Sequence, residues 1–151
     1  MEEVVAVGGT FDNLHLGHVQ LLLKCFEISE HVIIGITSDK FVKSKNHFID
    51  PLEKRENGLL SFLKFFGVNK HVNVIVLNDH YGPTIHDENI SSIVVSEETL
   101  KRAVEINKIR AGKGLKPLKI FFIPLSKDID LRPISSTKLR RKERFCEKFL
   151  F

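Results

Sequence analysis

Five short runs in this chain are apolar nearly throughout rather than at every second position: "VVAV" from Val4 to Val7, "HVIIGIT", "VNVIVL", "SIVV" and "KIFFI". A strand with one wet face alternates apolar and polar residues. A strand that is apolar throughout is covered on both sides, which is the condition of a parallel sheet sandwiched by helices. Helical patterns separate the runs. Leu16 to Ile28 carries Val19, Leu22, Leu23 and Phe26 at helical spacing. Pro51 to Phe66 opens on proline and is followed by Gly67, with Leu59, Leu63 and Phe66 on its core face. Thr99 to about Lys113 closes at "GKG", and Ser135 to about Phe149 forms the last helix. The stripe Leu100, Ala103, Val104, Asn107, Ala111 marks the expected core face of the third of these helices. The order predicts an α/β protein: one doubly wound, Rossmann-like domain over residues 1–151 with a five-stranded parallel sheet.

Composition narrows the setting. At 151 residues the chain is long enough for one sizeable core. No apolar run approaches the roughly 18 residues of a membrane span, and the acidic start "MEEVVAVGG" is unlike a signal peptide. A cytoplasmic protein without membrane partners is expected. Cys25 and Cys146 stand apart on apolar helical stripes and read as small packing residues. The net charge of +4 is compatible with an anionic ligand but does not demand one.

In a doubly wound sheet, ligands bind beyond the carboxyl ends of the strands, near the switch in strand order. The segments after the strands are therefore the ones to inspect. After the first comes "GGTFDNLHLGH", in which Gly8-Gly9 stops the apolar run and a helix begins near Leu14. It is neither a Walker A loop nor GxGxxG. His15 and His18 lie three apart, on one face of the first helical turn. The helix start favours anions, and Gly17 lets a ligand approach the backbone. The string describes a polyphosphate cradle with two imidazole donors. A metal site would need further ligands, and only Asp12 is near in sequence. The alternative is that Asp12 caps the helix and the histidines are solvated.

A second candidate, "ISSTKLR", follows the fifth strand and opens the last helix. It offers the hydroxyls of Ser135, Ser136 and Thr137, with Arg140 one turn beyond Ser136. An ordinary cap before a solvated basic helix would read the same way.

Together these strings carry a resemblance. His15-Leu16-Gly17-His18 is similar to the HxGH signature of the nucleotidyltransferase superfamily, and "ISSTKLR" to its ISSTxxR signature. Those enzymes transfer a nucleoside monophosphate from a triphosphate to an acceptor. With "DHYGPT", "VSEET" and "INKIR", nearly the whole chain resembles the archaeal and eukaryotic family of phosphopantetheine adenylyltransferases. The resemblance implies ATP and 4′-phosphopantetheine as substrates, with dephospho-coenzyme A and pyrophosphate as products and Mg²⁺ arriving with ATP. It implies that His18 stabilises the transition state and that His15 and the helix N–H groups hold the β- and γ-phosphates. Thr10 would lie between the substrates. Ser135, Ser136, Thr137 and Arg140 would grip the leaving pyrophosphate. Gly9, Phe11, Ser96 and Asn107 fall in its ATP-binding segments, although Ser96 also reads as a helix cap and a bond to a loop backbone is the commoner case for a polar residue such as Asn107 on a core face. The basic loop "SDKFVKSK" offers Lys40, Lys43 and Lys45 to the acceptor phosphate, Lys43 first and Lys45 second. Arg55 matches an arginine of the superfamily, with a helix-surface salt bridge as the plainer expectation.

Apart from a nucleotide-binding sensor that keeps the fold but no longer turns over, against which the complete set of motif residues argues, two rivals stand beside this reading. One is another nucleotidyltransferase of the superfamily, acting on nicotinamide mononucleotide, flavin mononucleotide or a polyol phosphate. The other is a nucleic-acid-binding module using the basic last helix, which the lack of Trp and the single Tyr disfavour as a stacking platform.

Overall fold

The computed structural model describes residues 2–42, 48–68 and 71–124. Five strands form one parallel sheet: β1 (Val5–Gly9), β2 (His31–Thr37), β3 (His71–Leu77), β4 (Ser92–Val95) and β5 (Lys119–Phe122), in the order β3-β2-β1-β4-β5. The chain winds outward from β1 to β3, then returns to the other side of β1 through β4 and β5. Helices α1 (Leu16–Ile28), the short α2 (Asp39–Val42), α3 (Leu52–Phe65) and α4 (Leu100–Gly112) make the crossovers, with a 3-10 turn at Gly82–Ile85.

Two clusters show why the strands read as apolar throughout. Val5, Val7, Ile34 and Ile36 pack with Leu22 and Phe26 of α1 and Leu59 of α3. Their strand neighbours Ala6, Ile93 and Val95 pack with Ala103 and Ile106 of α4. Successive side chains of each strand thus enter opposite layers. Cys25 lies fully buried in the first cluster, and burial pushes its thiol up to about 12, which suits a packing residue. Cys146 lies outside the described residues, as does the expected helix from Ser135 to about Phe149.

Three expectations need correction. Gly8 and Gly9 do not stop β1. They complete it, opposite Gly35 and Ile36 of β2, because a parallel partner supplies the ladder that local propensity does not. Helix α1 runs Leu16–Ile28, the bounds its spacing predicts, but it does not reach back to Leu14, so His15 caps the first turn rather than lying on it. On α4, Leu100, Val104 and Ala111 face solvent, while Ala103, Ile106 and Arg110 are buried. Ala103 is buried as the stripe predicts, but the core face of α4 also includes a charged residue, so the apolar pattern is rotated away from it. Arg110 is buried by giving its N–H groups to backbone: Nε donates to Lys116 O (2.7 Å), and Nη1 to Thr84 O (2.7 Å) and Asp87 O (3.1 Å).

Candidate active site

Strand β1 pairs with β2 along its whole length, but with β4 only at Val5–Ser92 and Ala6–Ile93. Beyond Ala6 the two central strands part. This is the switch in strand order, and a cavity of about 450 Å³ opens there, lined among others by Gly8, Gly9, Thr10, Thr37, Val95 and Thr99. Gly35 leaves room on this side for the Leu77 side chain. A Cβ at Gly35 would stand 2.7–2.9 Å from the carbons of the Leu77 side chain.

At the edge of the cavity the ends of β1 and β2 are tied by Arg55, which sequence reasoning assigned to the surface of α3. It is 2% exposed. Its Nε donates to Asp50 O (2.7 Å), Nη1 to Thr10 O (3.0 Å) and Thr37 O (2.7 Å), and Nη2 to Asp39 Oδ1 (3.0 Å). Asp39 Oδ1 also accepts from the Leu52 N–H (2.7 Å). The Thr37 hydroxyl donates to Thr10 Oγ1 (3.3 Å). Arg55 is therefore a positioning residue, holding Thr10 from behind.

From Thr10 the chain turns sharply. Phe11 (φ 51°) and Asn13 (φ 50°) take left-handed backbone, unusual for a ring-bearing residue and costing on the order of 1–3 kcal/mol. Two anchors offset this. The Phe11 ring is 2% exposed in the first core cluster, and Asp12 Oδ1 accepts from the Asp50 N–H (3.0 Å). Phe11 is thus a core residue beneath the site, and Asp12 does not cap α1.

The cap is His15. Its Nδ1 accepts from the Gly17 N–H (3.0 Å), and the His15 N–H donates to Nδ1 of His18 (3.2 Å). This is a capping box written with two imidazoles. The rings lie 4.0 Å apart at 31°, and His18 also meets the Phe11 ring at 5.3 Å. The His18 imidazole is pushed down from its ordinary 6.5 to about 3, first by burial and second by the charge of His15 beside it. With Nδ1 accepting, the proton of neutral His18 sits on Nε2. The same holds for His15 when neutral. The pair presents two N–H donors at a helix beginning, the chemistry an anion needs.

The other sequence candidates divide. Gly9 and Thr10 line the cavity, whereas His15 and His18 stand past it, across the turn at residues 11–14. Ser96 is 4% exposed and its N–H donates to Thr99 Oγ1 (3.2 Å). Thr99 and Glu98, not Ser96, reach the cavity. Asn107 also misses it: Nδ2 donates to Leu118 O (3.0 Å) and Oδ1 accepts from the Leu118 N–H (2.7 Å), so both ends are spent on the loop before β5. Lys40 is exposed on α2. Lys43, Lys45, Ser135, Ser136, Thr137 and Arg140 lie outside the described residues.

Two residues of the resemblance string "DHYGPT", and one residue the sequence did not single out, complete the wall. Tyr81 and Thr84 come from the loop after β3, and Arg102 from α4. The string folds as a turn: Asp79 Oδ1 accepts from the N–H groups of Tyr81 and Gly82 (both 2.8 Å), and Gly82 has φ 52°. Among the described residues, no three His, Cys, Asp or Glu side chains converge on a point that could hold a metal ion. No described helix is long and apolar enough to cross a membrane.

The chain matches the family described as cytidylyltransferase-like over residues 6–142. The phosphopantetheine adenylyltransferase of Pyrococcus furiosus is 47% identical to it, covering 90% of this chain and 86% of its own length. That of Methanopyrus kandleri is 43% identical, covering 90% of this chain and 87% of its own. Among solved structures, the crystal structure of a protein with unknown function from Archaeoglobus fulgidus is similar at a TM-score of 0.74 and 25% identity, covering 89% of this chain and 96% of that one.

Proposed function

Because this chain belongs to the cytidylyltransferase-like family, among its phosphopantetheine adenylyltransferases, we infer that it transfers AMP from ATP to 4′-phosphopantetheine, giving dephospho-coenzyme A and pyrophosphate. This is a step of coenzyme A biosynthesis, for which we take residues 1–151 as one nucleotidyltransferase domain working in the cytoplasm. The observation that carries the reading is the imidazole capping box at the start of α1, on the segment that follows β1 where β1 and β4 part.

The chemistry asks little covalent work of the protein. An oxygen of the acceptor phosphate attacks the α-phosphorus of ATP, and the bond to the β-bridging oxygen breaks as pyrophosphate leaves. The protein must bring two anions into near-attack geometry and meet the charge developing on the α-phosphoryl oxygens with preset donors. Nε2–H of neutral His18 suits that task, since it needs no proton transfer and costs no buried cation. His15 and the N–H groups of α1 would hold the β- and γ-phosphates. Thr10, fixed by Thr37 and Arg55, would lie between the two phosphates. Lys43, with Lys45, is assigned to the acceptor phosphate, and Ser135, Ser136, Thr137 and Arg140 to pyrophosphate, on the resemblance of their motifs. On the same resemblance Mg²⁺ would arrive with the triphosphate, whose phosphate oxygens would supply its protein-independent ligands; among the described residues no three His, Cys, Asp or Glu side chains gather to hold it.

Size and lining support the cavity as the site of the acceptor's pantetheine arm. It is apolar where Ile33, Ile75, Leu77 and Ile93 face it, and polar at Thr10, where the arm's phosphate would lie. The test is pyrophosphate release with ATP and 4′-phosphopantetheine as sole substrates, beside CTP and a panel of nicotinamide mononucleotide, flavin mononucleotide and polyol phosphates. Release is expected with ATP and 4′-phosphopantetheine. Release with another acceptor and none with this one would overturn the assignment.

A further inference from the structure

One wall of the cavity is built by a three-residue clasp that joins the loop after β3 to α4. The Tyr81 hydroxyl donates to Glu105 Oε1. The same oxygen stands 3.6 Å from Arg102 Nη1. The Arg102 guanidinium lies over the Tyr81 ring, 5.8 Å from its centre. Tyr81 and Arg102 line the cavity and Glu105 does not. The carboxylate therefore stands behind the wall and fixes two groups that face the cavity. Among the described lining residues, Arg102 is the one guanidinium or ammonium group, and two carboxylates also line the cavity: Asp79, held by its own turn, and Glu98, in the turn just before α4.

This pairing has a chemical meaning in an apolar cavity. A polar group that leaves water there needs a partner or pays for its desolvation. An amide brings a carbonyl that must accept and an N–H that must donate. Arg102 offers the first, because a guanidinium carries five donors and Glu105 engages only one of its nitrogens. Glu98 offers the second. Building on the acceptor assigned above, we propose that Arg102, with Glu98, reads an amide of the acceptor's arm, and that Glu105 and Tyr81 are positioning residues that hold the guanidinium to the wall. Specificity for an amide-bearing arm then comes from the loop after β3 and from α4, apart from the histidines that serve the triphosphate.

The experiment compares two acceptors, 4′-phosphopantetheine and neopentyl phosphate, which keeps the phosphate and the branched carbon but has no amide. A charged donor lost from a neutral carbonyl raises the KM of Arg102→Met for 4′-phosphopantetheine about 10- to 100-fold. The KM for ATP and kcat at saturation stay near wild type, and the low efficiency with neopentyl phosphate is unchanged. Arg102→Lys, which keeps the charge and loses the planar fork, falls between, and serves alone if Arg102→Met does not fold. Glu105→Gln moves the same KM in the same direction. An acceptor KM unmoved in both Arg102 variants overturns the proposal, as does an equal loss with neopentyl phosphate. A wild-type enzyme that releases no pyrophosphate with 4′-phosphopantetheine instead fails the functional reading and takes this proposal with it.

Discussion

His18 ties the stability of the fold to pH, and the size of the effect follows from its surroundings. Its imidazole is held near 3 in the folded chain, against 6.5 when exposed, mainly by burial. Below pH 6.5 the unfolded chain binds a proton that the folded chain refuses. Stability contributed by this residue is therefore complete above pH 6.5 and is lost as pH falls toward 3. At about 1.4 kcal/mol per pH unit, the loss is roughly 2 kcal/mol at pH 5 and reaches roughly 5 kcal/mol near pH 3. The larger figure is an upper limit, because water entering around a protonated ring would reduce it. Against a domain stability of roughly 5–15 kcal/mol, even the loss at pH 5 is measurable.

The variant that isolates this term is His18→Gln. Glutamine at the third helical position still accepts from the cap residue's N–H, so the start of α1 survives without a titrating group. Urea unfolding at pH 7 and pH 5 should show wild type losing about 2 kcal/mol more than the variant over that interval. Other groups titrate in both proteins and cancel. Equal losses in the two would refute the buried, neutral His18. The same picture fixes the catalytic expectation. Because His18 works as a neutral donor, His18→Ala lowers kcat by about 10²- to 10³-fold with little change in ATP affinity. The shape of the pH profile of kcat/KM for ATP stays the same, since ATP's own titration is common to both enzymes. A limb of the profile that vanishes with His18 would mean that the imidazole titrates in the working range.

How far the sequence discloses this molecule depends on which force sets each feature. The strands were legible because a parallel sheet buries both faces, which leaves continuous apolar runs, and α1 because its burial follows helical spacing. The core side of α4 was not. Its anchor is Arg110, a charge made tolerable in the interior by the backbone oxygens of Thr84, Asp87 and Lys116, and those partners are brought together only by the fold. Asn107 was left between a loop backbone and the nucleotide for the same reason, and the loop backbone is its partner. A polar residue near a core needs a partner, but its type does not say whether that partner is a ligand or Leu118. In the site, the histidine pair was legible as a string, while its meaning as a mutual cap required backbone geometry. Arg55 was legible as a motif residue, yet its burial and its hold on Thr10 belong to the packing of α3 against the ends of β1 and β2. The clasp of Tyr81, Arg102 and Glu105 joins residues far apart in sequence, and no local pattern announces it.

Two packing features of the site carry further tests. Arg55→Met leaves the carbonyls of Thr10, Thr37 and Asp50 without their donor, so urea unfolding should show a loss of roughly 3–5 kcal/mol, partly recovered in Arg55→Lys. A cost below about 1 kcal/mol would return Arg55 to the surface role its sequence suggested. The last test concerns the glycines beneath the cavity. A Cβ at Gly35 would stand 2.7 Å from Leu77 Cδ1, and one at Gly82 would stand 2.5 Å from Leu77 Cδ2. Leu77 is thus wedged between two bare backbones, and a methyl at either forces it toward the cavity that it lines. Gly35→Ala should cost about 1–3 kcal/mol of stability through overpacking and should raise the KM for the acceptor, whose arm loses the space, while the KM for ATP holds. Leu77→Ala removes the obstacle at the price of a void. Combined, the two substitutions should cost at least about 0.5 kcal/mol less than their sum, because each relieves the strain or fills the space the other creates. Strict additivity in that double-mutant cycle would show that Leu77 has another way to move, and that the bare glycines are not what keeps the crevice open.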